Sequence, residues 1–448
     1  MSGGAYRAFY RIASEAALPF VIPYLLAAHK HRANLPQRLG RMDADVLGRL
    51  GAKPTIWIHS VSVGEFGIAA TFLDHLRPHC PGHQFLVSVT TITGHEVARR
   101  RLRPEDLLLY FPLDIWHVMR RAVRLVKPEL ALIIETEIWP GFIYELDAMG
   151  APVAIINGRL SAKSYGRYSM VRPAIADVLR RIARYNMQTQ SDARRVTTLG
   201  APAGRVNVTG NIKFDAARIA DEPSPDEALR AEVAMPPDTP VLLAAALEKT
   251  GDEDPVMLDI LAALRAQFGN AALIIVPRHP ERGPAIAALV ASRGFIPRRR
   301  SLRETFDEPA RQVFIVDTVG ELARFYTLAK TVFVGKSLFP PGGGQNMIEP
   351  VALGVPTLYG PYTSNFRGIA DTLAECGGAR IVAGRDELLL RIIELWKHPE
   401  AAREMTRKGR EFIRAQQGAI HRNVETALEL LASRGTAASP CTPAQARP

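Results

Sequence analysis

Four short stretches carry residue types that can do chemistry. "HSVSVGEFG" sets Glu65 where a strand end meets a glycine and the start of a helix. A glutamate there can serve as a general base if its pKa is suitable, and the helix macrodipole favours the same residue for stability alone. "ETEIWPG" adds Glu135 and Glu137, two apart, which a strand would turn to one face. Paired acids leaving a buried strand are costly unless they bind something or tie down neighbouring arginines. The other two stretches suit an anion. In "LFPPGGGQNMIEP" the backbone N–H groups of Gly342, Gly343 and Gly344 can approach a ligand closely, and a helix beginning near Gln345 would point its positive end at the same place. Glu349, one turn in, can accept hydrogen bonds from ribose hydroxyls. "IIVPRHPER" presents Arg278, His279 and Arg282 at a strand end. The planar fork of Arg278 can grip a phosphate and His279 can donate to a phosphate or a sugar, although an isolated arginine more commonly pairs with a surface acid.

The elements that must position these residues alternate along the chain. "TIWIHSVS", "QFLVSVTT", "LLLYFPLD", "LALIIETEIWP" and "PVAIINGRL" read as buried strands, with amphipathic helical patterns such as "GEFGIAATFLDHL" and "IWHVMRRAVRLV" between them. Strand and helix in alternation predict a parallel sheet covered on both faces. "TTITGHE", "NGRLSAKS" and "VTGNIKFD" end strands with small polar residues, either as tight connections or as the rim of a polar cleft. The pattern pauses over the proline- and acid-rich "RIADEPSPDEALRAEVAMPPDTP" and resumes with "VLLAAAL", "AALIIVPRHP", "QVFIV", "TVFVG" and "VPTLYG". The expected class is therefore α/β: two doubly wound, Rossmann-like domains facing each other across a cleft. The expected boundaries are an N-terminal amphipathic, membrane-associated segment over 1–40, a first domain over 41–220, a second over 221–432, and a disordered tail over 433–448.

Composition narrows the classes further. With 448 residues, 47% hydrophobic and 23% charged, the chain is long enough for two cores and reads as neither a disordered nor a multi-span membrane protein. A formal net charge of +11 concentrates anionic partners. Three cysteines without CxxC spacing exclude a zinc site or a disulfide framework and fit a reducing setting. The acids of "DAD" (Asp43 to Asp45) and "GDEDP" (Gly251 to Pro255) form no metal clamp, the second reading as a helix start. The apolar run Ala16 to Ala28 is too short to cross a bilayer and holds Pro19 and Pro23 as interruptions, with His29, Lys30, His31 and Arg32 after it. Two readings stay open for this segment: a membrane-surface helix, or a helix packed on the first domain.

The ordered motifs "SVSVGE", "TTITG", "YFPLD", "ETEIWP", "NGRLS", "VTGNIKFD", "VPRHPER", "GGGQNMIEPVALGVPTLYGP" and "SNF" resemble the 3-deoxy-D-manno-octulosonic acid (Kdo) transferases of lipopolysaccharide and lipid A assembly, from about Tyr6 to Asn423. The resemblance implies the GT-B glycosyltransferase architecture, with an acceptor-binding N-terminal half and a nucleotide-sugar-binding C-terminal half. It implies an inverting, metal-independent transfer of Kdo from CMP-Kdo to the lipid A precursor (lipid IVA) at the cytoplasmic face of the inner membrane. An anionic membrane surface is then a partner, nucleic acid is not, and no cofactor is needed. Residue by residue, Glu65 is the implied general base, and Glu135 and Glu137 belong to the acceptor side. Arg278, His279, Gly343, Gly344, Gln345, Asn346 and Glu349 match the donor side, the glycine loop holding the nucleotide phosphate and Glu349 lying near the ribose. Two departures stand out. Gln345 replaces a usual histidine, and "AALEK" (Ala245 to Lys249) replaces a "GSTH" type motif, so that Leu247 and Glu248 change the size and charge of the implied donor pocket. The alternatives are a related transferase with another acidic sugar or acceptor, and a catalytically silent membrane-associated binder of lipid or nucleotide.

Overall fold

The computed structural model describes residues 3–27, 34–215, 217–220, 224–248 and 253–434. The chain divides into two units, Met1–Asp215 joined by Gln417–Pro448, and Ala216–Gln416. The first holds β1 (Thr55–Ser60), β2 (Gln84–Val89), β3 (Leu107–Tyr110), β4 (Leu130–Ile134), β5 (Val153–Gly158), β6 (Arg184–Met187) and β7 (Val206–Val208). The second holds β8 (Val241–Leu247), β9 (Ala272–Pro277), β10 (Ile296–Arg299), β11 (Gln312–Ile315), β12 (Thr331–Val334), β13 (Thr357–Tyr359) and β14 (Arg380–Ile381). All pairings are parallel, in the orders β3-β2-β1-β4-β5-β6-β7 and β10-β11-β9-β8-β12-β13-β14.

Each order reverses direction near its centre, between β1 and β4 in the first sheet and between β8 and β12 in the second, whose far edge also exchanges β10 and β11. Open parallel sheets bind ligands in the crevice at that reversal, beyond the carboxyl ends of the strands. The central strands are buried along their full length, as helices on both faces require: β1, β4, β5, β9 and β12 carry no exposed residue.

The polar strand-end motifs are helix caps. Ser62, Thr91, Ser161 and Thr189 each accept a backbone N–H with a side-chain oxygen at the start of the helices Val63–Leu76, Ile92–Arg101, Ala162–Met170 and Gln190–Leu199. Four strands escape a reading by apolar runs: "RYNM", "VNV", "IPRR" and "RI" are two to four residues long, polar-substituted, and three of them begin or end a sheet.

The last helix, Ala419–Arg434, belongs to the first unit, whereas the expected boundary carried the second domain to residue 432. Its apolar face, Ile420, Val424, Ala427 and Leu431, joins the core built by β1, β4 and β5. Its buried Asn423 accepts from the Asn157 N–H at 3.3 Å and the Asn186 side chain at 3.1 Å. Asp215 accepts the N–H groups of Gly418 and Ile420 and caps the entry to this helix.

The N-terminal helix runs unbroken over Gly3–Ala27, through both prolines that were expected to interrupt it. Pro19 is exposed, which lets solvent satisfy the carbonyl its missing N–H leaves free. The helix packs on the first unit: the Tyr10 hydroxyl donates to the Asp114 carboxylate at 2.7 Å, Arg7 pairs with Glu145 at 3.3 Å, and Arg11 lies 3.8 Å over the Trp116 ring. No helix among the described residues is long and apolar enough to cross a membrane. The basic cluster His29–Arg32 and the tail beyond Arg434 lie outside the described residues.

Candidate active site

In the first unit the reversal point gathers carboxylates. Ser62 and Glu65 form a reciprocal cap: the Ser62 hydroxyl donates to Glu65 Oε1 at 3.0 Å, and the Val61 N–H donates to Glu65 Oε2 at 2.6 Å. Across the crevice β4 stops at Ile134, and Glu135 turns into the left-handed region at φ 60°. The two-residue alternation expected to align Glu135 with Glu137 therefore does not apply. The turn brings them together instead, and each acts on its neighbours. Burial pushes the Glu65 carboxyl up to about 7, opposed by the Val61 N–H and reinforced by the charges of Glu135 and Glu137. Burial and Glu135 likewise push Glu137 up to about 7. Burial raises Glu135 too, against the attraction of Lys213 and Arg159. Lys213 is held below the ordinary lysine range by its own burial, with Glu135 and Glu65 opposing that shift.

The sequence reading had named neither basic neighbour. Lys213 lies in "VTGNIKFD" and Arg159 in "NGRLS", motifs noted only for their polar ends. Their spacing to the glutamates along the chain carries no signal, because the sheet order places the end of β5 beside β4, and the segment after β7 returns to the end of β5, where the Ile212 N–H donates to Asn157 Oδ1 at 2.9 Å. Several buried polar atoms at the ends of β1 and just past β4 also lack a hydrogen-bond partner among the described residues: His59 Nε2, Ser60 Oγ, Thr136 Oγ1 and Trp139 Nε1. His59 stacks on Phe111 at 3.7 Å and is held by burial down at about 3, so it stays neutral and takes no proton near neutrality.

The second unit uses a different arrangement. Gly342, Gly343 and Gly344 are all left-handed, at φ 57°, 128° and 73°. Two of the amides expected to face a ligand are already engaged. Gly343 donates to the Tyr362 carbonyl at 2.8 Å and Gly344 to the Lys336 carbonyl at 2.7 Å, which stitches the loop to the segments after β13 and β12. A methyl group on Gly343 would come within 2.6 Å of Asn365 Nδ2, so the "SNF" motif is what demands glycine there. The helix expected from Gln345 starts later and is short, Ile348–Ala352, with the Asn346 side chain accepting the Ile348 N–H at 3.1 Å. Five residues make a weak dipole, so the helix adds little to anion binding. The backbone N–H groups of Gln345, Asn346 and Met347 donate to no described residue, which moves the free amides three residues along from where they were expected. Burial raises the Glu349 carboxyl, in the first turn of that helix.

Arg278 and His279 follow β9 and are both exposed. Arg278 makes no ion pair or side-chain hydrogen bond with a described residue, and His279 has only Glu281 at 3.7 Å. Arg282 does not reach a ligand position: it donates to the Leu247 carbonyl at 2.9 Å and pairs with Asp254. No hydrogen bond or ion pair among the described residues joins Arg278 or His279 to the glycine loop.

Two further residues organise this end of the sheet. Glu253, read from sequence as a helix-start acid, does begin the helix Glu253–Phe268, but its buried carboxylate reaches across to accept the N–H groups of Lys336 (2.7 Å), Ser337 (2.9 Å) and Leu338 (3.0 Å). Glu248, in the departing "AALEK" segment, lies 2.9 Å from the Lys336 ammonium. Lys249 of that segment lies outside the described residues. Among the described residues no group of three or more histidines, cysteines, aspartates or glutamates is disposed to hold a metal ion.

Two Rossmann-like units in one chain, each with its polar residues at the strand-order reversal, define the GT-B architecture. The same fold appears in MurG of Acinetobacter baumannii, at 15% identity with a TM-score of 0.55 over 84% of this chain and 99% of that one. Residues 33–216 match the family of 3-deoxy-D-manno-octulosonic-acid transferases (kdotransferases). The chain is 31% identical over 428 residues to the 3-deoxy-D-manno-octulosonic acid transferase of Haemophilus influenzae, covering 93% of this chain and 97% of that protein. It is 31% identical over 400 residues to the enzyme of the same name from Bordetella pertussis, covering 87% and 90%. The chain belongs to the Kdo transferase family.

Proposed function

We propose that the protein transfers Kdo from CMP-Kdo to the lipid A precursor lipid IVA, with inversion at the sugar and with Glu65 as the general base. The observation that carries this reading is the Glu65 carboxylate, held by the Ser62 hydroxyl at 3.0 Å and the Val61 N–H at 2.6 Å beside Glu135 and Glu137, where burial pushes it up to about 7. A base with its pKa near the working pH combines a large unprotonated fraction with a useful driving force for proton uptake. Glu65 takes the proton of the acceptor hydroxyl as the oxygen attacks the anomeric carbon of Kdo. The bond from that carbon to the phosphate oxygen breaks, and CMP leaves with the electron pair. Glu135 and Glu137 line the acceptor side and keep the Glu65 pKa high. On the donor side Arg278 and His279 meet the phosphate, the loop through Gly343, Gly344, Gln345 and Asn346 receives the nucleotide, and Glu349 accepts from the ribose.

The setting is the cytoplasmic face of the inner membrane. Support comes from the outer face of the N-terminal helix, where Phe9, Ile12 and Phe20 are 65%, 73% and 79% exposed in a line with Ala13 and Ala16. Such a stripe lies on an anionic membrane surface without crossing it. Exposed Arg121 and Arg124, on the neighbouring helix Trp116–Val126, add positive charge.

The test is transfer from CMP-Kdo to lipid IVA by purified protein in detergent, with a chelator present. Product establishes donor, acceptor and independence from a loosely held metal together. CMP binding without product points to another acidic sugar or another acceptor, the reading that the Glu248–Lys336 pair in the departing segment favours.

A further inference from the structure

The crevice at the reversal of the second sheet lies between β8 and β12, and one ion pair spans it. Glu248 is the first residue after β8 and Lys336 the second after β12, with the ammonium 2.9 Å from the carboxylate. We propose that Lys336 is a specificity-determining residue for the donor: its ammonium binds an anionic group of the nucleotide sugar, phosphate or sugar carboxylate, and Glu248 holds and masks that charge until the group arrives. The proposal rests on the reading of the second unit as the nucleotide-sugar-binding one.

Three observations carry it. First, Lys336 is a non-glycine residue at φ 57°, a conformation disfavoured by about 1 kcal/mol for a residue with a Cβ. Such a conformation persists where the surrounding structure holds it, and it fixes the direction in which the lysine stem leaves the backbone. Second, its backbone is fixed from both sides. The N–H donates to Glu253 at 2.7 Å and the carbonyl accepts from Gly344 at 2.7 Å, so the stem leaves from a set point beside the glycine loop. A methyl group on Gly343 would sit 3.5 Å from Lys336 Cε, so the bare glycine backbone and the lysine stem share one surface. Third, the pair is accessible, with the lysine side chain 25% and the glutamate side chain 17% exposed. A strongly hydrated ammonium on a flexible stem can exchange one anionic partner for another without moving the backbone.

The test compares two variants that break the same ion pair in the full chain: Lys336→Met, which keeps the apolar stem and loses the charge, and Glu248→Gln, which keeps the shape and unmasks the lysine. Equilibrium binding of CMP and of cytidine is measured for each, together with the KM for CMP-Kdo. If Lys336 meets the phosphate, Lys336→Met weakens CMP roughly tenfold or more and leaves cytidine unchanged. If it meets the sugar carboxylate, CMP binding is unchanged and the KM for CMP-Kdo rises by a similar factor. In either case Glu248→Gln moves the same quantity in the opposite direction, by roughly two- to fivefold, and Lys336→Arg restores most of the loss. A pair that is only structural moves both variants the same way, and that result overturns the proposal, as does a Lys336→Met protein with unaltered CMP binding and KM. Both results leave the transferase reading standing if the unmodified protein binds CMP. Failure of the unmodified protein to bind CMP overturns both.

Discussion

Both sheets reverse their strand order near the centre and furnish that central reversal with opposite electrostatics. At the first crevice, burial, reinforced by like charges crowded together, pushes Glu65 and Glu137 up to about 7. At the second, Glu248 and Lys336 neutralise one another. Both crevices use one backbone device, a left-handed residue just past the strand on the far side of the reversal, β4 in the first unit and β12 in the second: Glu135 at φ 60° and Lys336 at φ 57°. The shared topology thus provides a place, and the charge pattern decides its use. Repelling carboxylates make a proton acceptor, whereas a paired cation offers a charge for exchange with a ligand.

The largest expected effect breaks the first side of this comparison. Glu65→Gln should lower the rate of transfer by roughly 10²–10⁴-fold while leaving CMP binding intact, because it removes a base that acts only in the chemical step. Undiminished turnover in that variant would remove Glu65 from the mechanism. On the other side, Glu253→Ala should cost on the order of 3–5 kcal/mol in denaturant unfolding, since three backbone N–H groups that now share one buried carboxylate would be left unpaired. A loss below about 1 kcal/mol would mean that the loop after β12 finds other acceptors.

The next effect sharpens the comparison through pH. Glu137 is raised from 4.5 to about 7 in the folded protein, so the folded state binds more protons than the unfolded chain across that window. Its contribution is favourable below 4.5 and is lost as the pH rises through 7. Glu137→Gln should therefore melt about 2–4 °C higher than the unmodified protein at pH 8 and no higher at pH 4. Equal shifts at both pH values would contradict a Glu137 carboxyl raised by burial and by Glu135. Glu135→Gln should move the acid limb of the pH–rate profile to lower pH, because Glu135 helps hold the Glu65 pKa up. The smallest effect concerns the outer face of the N-terminal helix. Serine at Phe9, Ile12 and Phe20 together should reduce co-sedimentation with anionic vesicles several-fold and leave the melting temperature within a degree or two, those side chains being exposed already.

Much of this architecture was legible. Buried strands announced themselves as runs of Val, Ile and Leu, and Glu65 was found because a glutamate after "SVSVG" has a definite helical position. What escaped had a common cause: it depends on which strand ends lie side by side. Lys213 and Arg159 act on Glu135, and Glu253 holds residues 336–338, over separations that no local pattern encodes. The triple glycine was legible only in part, for a related reason. Its backbone freedom reads as room for a ligand, and the sequence does not show that Gly343 also gives room to Asn365. Glu248, noted only as a departure in size and charge, acquired a meaning once Lys336 was seen opposite it.

The return of the last helix to the first unit makes the second unit an insertion within the first. On a ribosome this sets an order of events. The segment 216–416 can close its sheet as soon as it has emerged, while the amino-terminal sheet, though translated earlier, must wait for Asn423 to meet Asn157 and Asn186. The half made first is finished last, and a nascent chain halted at Gln416 holds a complete second sheet beside an uncapped first one.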